Sequence, residues 1–295
     1  MDRRNLLKLA GVSAAASAMG CVSNEKRVVD SQSIPFKKSF VSWCYNKVWP
    51  LEKQIIEAKA LGCTALELVK PDKWNLLKNA GLECNMVGSH GYVKGMNNKD
   101  HWAECQTKLR NSIDNASAAG FPNVISFTGF YDTTKQKGSV VDDETGKKNC
   151  IEAYKKIIGY AEKKNVKIQI EVLNSRVNES MKGHPGYSGD RVEYIADIIR
   201  AVGSPNLKIL FDIYHVQVMQ GDLIKRINEN KDIIGHIHTA GCPGRGELDD
   251  KQEINYRAVF KALKDTGYRE YVSHEFIPTR EPRQGLIEAF NLCRA

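Results

Sequence analysis

Four side chains able to hold a metal ion, Glu171, Asp212, His238 and Glu275, fall near the far ends of four successive strand-like runs, KIQIEVLNSR, LKILFDIYH, GHIHTA and YVSHEF. Three carboxylates and one imidazole meeting at a point would hold a divalent cation and leave two glutamates flanking a substrate. Any one acid alone would read as an ordinary salt-bridged or solvated group. A buried charge is costly unless paired or metal-bound, however, and Asp212 directly follows the apolar run Ile209-Leu210-Phe211. The set is hard and oxygen-rich, with no cysteine in it, which favours Mn²⁺, Mg²⁺ or Co²⁺ over a thiolate-rich zinc site.

Such a set suits the interconversion of an α-hydroxy aldehyde and an α-hydroxy ketone. That reaction moves a proton between adjacent carbons through an enediolate, whose charge a Lewis-acidic cation stabilises. One glutamate, Glu171 or Glu275, must be ionised to take the carbon-bound proton, and a second group must return one. Acid–base help of this kind is worth roughly 10²–10⁴-fold, so the cation and the positioning must supply the rest. The two-residue period of a strand selects among neighbours. His236 and His238 face one way, with His238 nearer the strand end, and Ser273 shares a face with Glu275 that excludes His274, which is left to pack between strand and helix.

These residues need a scaffold that points strand ends at one place. Strand-like runs are expected at Phe40–Cys44, Ala65–Val69, Glu83–Gly88, Val124–Thr128, Lys167–Leu173, Lys208–Ile213, Ile234–Thr239 and Tyr271–Phe276. Helical runs lie between and after them near 51–61, 73–80, 99–119, 145–164, 190–202, 219–229, 255–266 and 285–293, and Gly62, Gly81, Gly120, Gly203 and Gly267 follow five of these as helix stops. Strict alternation predicts a parallel sheet with right-handed crossovers, and eight units predict an α/β fold closed as a single (β/α)₈ TIM barrel. In such barrels the chemistry sits at the C-terminal strand ends. An open doubly wound sheet would want a glycine-rich phosphate loop after its first strand, where Trp43-Cys44-Tyr45-Asn46-Lys47 stands instead.

The chain of 295 residues, 42% hydrophobic, is long enough for one such barrel, which takes about 250. Its net charge of +8 is spread over helical faces, for example Lys147, Lys148, Lys155, Lys156, Lys163 and Lys164, with no basic cluster of the kind that binds nucleic acid. Cys44, Cys63, Cys84, Cys105, Cys150, Cys242 and Cys293 are scattered singly, and a barrel core needs no disulfides. Residues 1–21 read as a signal: the Arg3-Arg4 pair resembles a twin-arginine export motif, and Ala18-Met19-Gly20-Cys21 resembles a lipobox with Cys21 as lipid anchor. The apolar stretch Leu9 to Gly20 is too short and alanine-rich to span a membrane. Residues 22–36 read as a tether and 37–295 as the catalytic barrel, exported to the periplasm or held on the membrane only through that anchor.

The order Glu, Asp, His, Glu on the last four strands resembles the xylose isomerase-like barrel superfamily. Within it, EVLNS at 171–175, FDIYHVQVMQGD at 211–222, GHIHTAGCPGRGELD at 235–249, QEINY at 252–256 and HEFIPTR at 274–280 resemble hydroxypyruvate isomerases and their bacterial relatives. The resemblance runs from about Phe40 onward and is strongest from Glu171 to Arg280. It implies that Glu171 and Glu275 ligate the metal and act as acid and base, with Asp212 and His238 completing the ligand set. Some hydroxypyruvate isomerases carry glutamine at the strand-seven position, so His238 resembles the ketose epimerase branch instead. It also implies that His215 and Arg245 contact substrate.

Weaker candidates lie around these positions. Glu67 and His90 are placed as pocket-lining, substrate-binding residues; His101, Asn174, Arg176, Trp43 and Phe130 border the same region; and the tracts Gly138–Gly146 and Gly183–Gly189, the latter with His184, read as lid-like loops without chemical specificity. Hydroxypyruvate isomerisation to tartronate semialdehyde is the leading expectation. A sugar or sugar-acid isomerase or 3-epimerase shares every ligand and better suits an envelope location, and a non-catalytic sugar-binding protein is the alternative from another class. A DNA-repair endonuclease of the same superfamily would need a trinuclear zinc site with more histidines at strand ends and a DNA-binding groove, and the seven histidines, several of them off the site, and the export signal argue against it. The expected partner is a small hydroxy-carbonyl or sugar substrate; homo-oligomerisation is left open.

Overall fold

The structure, a computed structural model, describes residues 35–132 and 140–294. The export signal, the lipobox and nearly all of the tether lie outside the described residues, as does the stretch 133–139. Phe36, at the end of the expected tether, is buried against Phe260 and Tyr268 and belongs to the core.

Among the described residues seven parallel strands form the sheet: β1 (Lys37–Val41), β2 (Ala65–Glu67), β3 (Asn123–Ser126), β4 (Lys167–Glu171), β5 (Leu207–Asp212), β6 (Ile234–Thr239) and β7 (Tyr271–His274). Their order is β2-β1-β7-β6-β5-β4-β3. The eighth expected strand, 83–88, is not a regular strand. It bridges β2 through Leu66 N to Glu83 O (3.0 Å) and then β3 through Val87 N to Asn123 O (2.9 Å), so neither ladder runs long enough to be continuous. It nevertheless occupies the gap between the two outer strands and closes the barrel.

Two other boundaries differ from the sequence expectation. β1 starts three residues earlier than predicted and ends at Val41, where Ser42–Tyr45 forms a 3₁₀ turn; the polar start Lys37-Lys38-Ser39 masks a strand whose Lys38 and Ser39 are buried. The helix expected at 219–229 begins only at Leu223 and runs to Glu229, because Gly221 and Asp222 take positive φ, and a separate helix not expected from the sequence, Ile213–Met219, precedes it. Gly120 and Gly203 end their helices in the left-handed region, as their positions predict.

The strands alternate between two interiors. Ile168, Ile170, Ile209, Phe211, Ile237 and Val272 turn outward into the apolar layer shared with the helices. On the other face Ser39, Glu67, Asn123, Gln169, His236 and Ser273 are all buried inside the barrel, a polar layer that is stable only where its groups find partners. The seven cysteines among the described residues are buried and free. Among the described residues no helix is long and apolar enough to cross a membrane.

Candidate active site

β4 ends on Glu171, β5 ends on Asp212, His238 is the penultimate residue of β6, and Glu275 follows β7 directly. All four are at most 5% exposed, and one ligand atom from each lies within 4.8 Å of the others. Asp212 also caps the helix Ile213–Met219, its Oδ1 accepting from His215 N at 3.0 Å, which fixes Oδ2 toward the barrel axis. His238 Nδ1 stands 2.8 Å from Glu275 Oε2 and 3.3 Å from Glu171 Oε1. Neither approach has hydrogen-bond alignment, and both His238 Nδ1 and Glu171 Oε1 are left without a hydrogen bond. Buried donors this close, oxygen-rich and unsatisfied, fit a divalent cation between them.

Arg245 presses on the same cluster. It is 2% exposed, its Nη2 reaches Glu275 Oε2 at 2.6 Å and Asp212 Oδ2 at 3.5 Å, and Nη1 donates to Met181 O. Its guanidinium lies 5.4 Å from the Trp43 ring and 5.7 Å from Tyr214. Trp43 Nε1 donates to the other oxygen of Glu275 at 2.9 Å, a partner the sequence did not assign to it.

These neighbours drive the two glutamates apart. Burial pushes the Glu275 carboxyl up, but Arg245 and His238 outweigh it and hold Glu275 well below the usual carboxylate range. Glu171 goes the other way: burial raises its pKa and the Glu275 charge adds to this, against the pull of His238. Burial, opposed by Arg245 and assisted by Glu275, pushes Asp212 up to about 7. Burial of the His238 imidazole lowers its pKa, yet the carboxylates of Glu275 and Glu67 raise it well above 6.5.

A cavity of about 240 Å³ opens onto Glu171, Glu275 and Arg245 and is walled by Trp43, His90, Tyr92, Phe127 and His184 among others. His90 lies in this wall, with Nε2 2.9 Å from Ser126 Oγ. His184 was missed as a functional candidate: its ring packs 4.3 Å from Tyr92, and burial lowers its pKa to about 4. A wider depression of about 740 Å³ between Leu248–Arg257 and Arg280–Leu292 touches none of the four cluster residues.

Glu67 corrects the sequence reading. Its side chain is fully buried below the cavity rather than lining it, because β2 ends there and points it into the polar layer, against His236 Nε2 (2.7 Å) and His238 Nε2 (2.8 Å). His215 likewise sits behind Asp212, its Nδ1 accepting from Asn174 N at 3.1 Å, and is not part of the cavity wall. Asn174 holds that imidazole, while Arg176 reaches outward to Val218 O at 3.3 Å. Phe130 packs against Tyr92 and Tyr187, and His101 is buried at the start of the helix Trp102–Ala119. The tract 138–146 gives way at Asp142, the N-cap of the helix Asp143–Lys163.

His274 packs as expected, with Nδ1 2.7 Å from Thr239 Oγ1 and its ring 4.5 Å from Phe290. Burial lowers its pKa to about 3, so between that value and about 6.5 the unfolded chain binds a proton the folded protein refuses. Its contribution is present in full above about pH 6.5 and lost as pH falls. His274→Asn should therefore differ most from the parent near neutrality and less at pH 4, as urea midpoints at the two pH values would show.

The chain matches the family model described as xylose isomerase-like TIM barrel over residues 55–295. It belongs to that family. Within this xylose isomerase-like barrel family, a mouse relative named "Putative hydroxypyruvate isomerase" is 27% identical over 264 residues, covering 83% of this chain and 91% of that protein. The Escherichia coli hydroxypyruvate isomerase is 37% identical over 102 residues, which is 35% of this chain and 39% of the enzyme's length. Among solved structures, that of an AP endonuclease, family 2, from Brucella melitensis superposes with a TM-score of 0.73 at 22% identity, covering 86% of this chain and 96% of the other; at that identity the likeness is one of fold.

Proposed function

We propose that this protein is a metal-dependent isomerase of small α-hydroxy carbonyl acids, with hydroxypyruvate, converted to tartronate semialdehyde, as substrate. The observation that carries the reading is the convergence of two buried glutamates, Glu171 and Glu275, with Asp212 and His238 beside one small cavity; the opposed directions in which their surroundings push the two glutamates agree with it. Glu275 takes a proton from the hydroxyl-bearing carbon. The hydroxyl proton passes to the neighbouring oxygen, Glu171 gives its proton to the adjoining carbon, and both carboxyls return to their starting state by exchange with water. A divalent cation held by Glu171, Asp212, His238 and Glu275 would serve as the Lewis acid that offsets charge on the two substrate oxygens. Arg245 and Trp43 fix the carboxylate of Glu275 from both sides, and the apolar wall of Phe127 and Tyr92 keeps water from the reacting carbons.

The volume supports a small substrate. About 240 Å³ is the space of roughly eight water molecules, below the range usual for drug-sized ligands, and it suits a three- or four-carbon acid. A sugar 3-epimerase is the second reading, favoured by two glutamates that reach one cavity, Glu171 from the end of β4 and Glu275 from just after β7, one able to take a proton and the other to return it. We also read residues 1–21 as an export signal, which would place the reaction in the cell envelope.

The test is proton exchange from deuterated water, followed by NMR after chelation and re-addition of Mn²⁺, Mg²⁺ or Co²⁺, with hydroxypyruvate and a panel of ketoses. Metal-dependent deuterium incorporation at one carbon of hydroxypyruvate is the expected result. Incorporation only into a ketose would favour the epimerase, and none with any substrate would leave a binding protein.

A further inference from the structure

Below the four-residue cluster lies a second group of metal-capable side chains, Glu67, His236 and His238, wholly enclosed in the barrel. The two groups share His238, and its two ring nitrogens serve one each. Nδ1 looks up at Glu171 and Glu275; Nε2 looks down at Glu67 Oε2, 2.8 Å away. An ionised carboxylate only accepts, so the proton in this contact belongs to Nε2, and Nδ1 is the nitrogen that can give up its proton and turn a lone pair to a cation held at the cluster.

Glu67 is itself held rigidly. Its Oε1 accepts from Asn85 Nδ2 at 2.7 Å and from Ser39 Oγ at 3.0 Å, and it lies 2.7 Å from His236 Nε2. Ser39 Oγ is in turn 2.6 Å from Ser273 Oγ and accepts from Asn85 Nδ2 at 3.1 Å, so β1, β2, β7 and the 83–88 segment are tied into one network around this carboxylate. No Lys or Arg reaches it among the described contacts. A buried acid in such a place would be a poor choice for stability alone, since an amide could satisfy the same donors without a charge.

We propose that Glu67 is a positioning residue: by accepting the Nε2–H of His238 it fixes the tautomer and angle of that imidazole, presents Nδ1 to Glu171, Asp212 and Glu275, and so tightens the binding of a divalent cation. The inference rests on the reading of the four-residue cluster as a cation site. Outer carboxylates that orient a ligating imidazole are worth about 10–100-fold in metal affinity.

The full-length protein, stripped by chelation, is titrated calorimetrically with Mn²⁺. Glu67→Gln, which keeps shape and removes charge, should bind about 10–100-fold more weakly than the parent. Ser39→Ala, which loosens the same network at the other oxygen of Glu67, should leave affinity unchanged while lowering thermal stability. Parental affinity in Glu67→Gln, or an equal loss in Ser39→Ala, would overturn the positioning role. If Glu67→Gln does not fold, nitrogen-15 NMR of histidines in the Mg²⁺-loaded parent decides: the proton should be on Nε2 of His238, and a proton on Nδ1 would refute the proposal. Mn²⁺ binding that is absent from the parent, or indifferent to Asp212→Asn, would overturn the cation-site reading and this inference with it. Binding that depends on Asp212 but not on Glu67 would overturn the inference alone.

Discussion

Glu275→Gln is expected to lower turnover by roughly 10²–10⁴-fold, the range of a positioned acid or base, while the protein stays folded. Glu275 is where three fixed groups meet: Trp43 Nε1 on one oxygen, Arg245 Nη2 and His238 Nδ1 on the other. That convergence is what keeps the carboxylate ionised in a fully buried site, and an ionised carboxylate is what removes a carbon-bound proton. Glutamine retains the shape and one acceptor oxygen, so substrate should still enter, and the loss should fall on kcat rather than on KM. The deuterium-exchange assay measures both. Equal losses in each would mean that Glu275 serves binding, and full retention of turnover would remove it from the chemistry.

The barrel was legible because its evidence repeats. Apolar runs recur at β/α spacing, and strand ends carry polar residues where soluble strands would simply stop; Glu171, Asp212, His238 and Glu275 could be placed because each follows an outward-facing row such as Ile168-Ile170 or Ile209-Phe211 with fixed parity. Nearness to the strand end selected His238 over His236, which shares its face, and parity put His274 on the helix side, where it contacts Phe290. The 83–88 segment reads as a strand because Glu83-Cys84-Asn85-Met86 alternates, but its bonds to β2 and the residue after it fall out of step, Leu66 N to Glu83 O and then Leu68 N to Met86 O, two residues against three, and no regular ladder forms.

Depth was the harder quantity. Glu67 ends a strand like the cluster residues, and sequence alone does not say that β2 stops one layer lower, so its side chain meets the underside of His238 instead of the cavity. His184 was overlooked for the opposite reason. It sits in the loop Gly183–Gly189, three glycines and one proline with no period to read, and only the fold of that loop brings it against Tyr92. Arg245 was found through the resemblance, but its burial was not foreseeable from a Pro-Gly-Arg loop, where an exposed arginine is the ordinary outcome.

Arg245→Met should lower the stability of the metal-free protein by about 3–5 kcal/mol, the cost of removing one partner from a buried ion pair. The guanidinium faces Glu275 and Asp212, donates to Met181 O, and lies between the rings of Trp43 and Tyr214, so methionine keeps part of the packing and none of the charge. With Arg245 gone, the buried acids Glu171, Asp212 and Glu275 face His238 as the one remaining cation of the cluster. A divalent cation binding at that cluster would restore the missing charge, and added Mn²⁺ should therefore raise the urea midpoint of the variant by more than that of the parent. Arg245→Lys should fall between them: it keeps the charge, but a single ammonium cannot reach Met181 O and Glu275 as a planar fork does. Parental stability in Arg245→Met would mean that His238 alone balances the acids, and an equal Mn²⁺ shift in both proteins would mean that the cation and the guanidinium do not act on the same carboxylates.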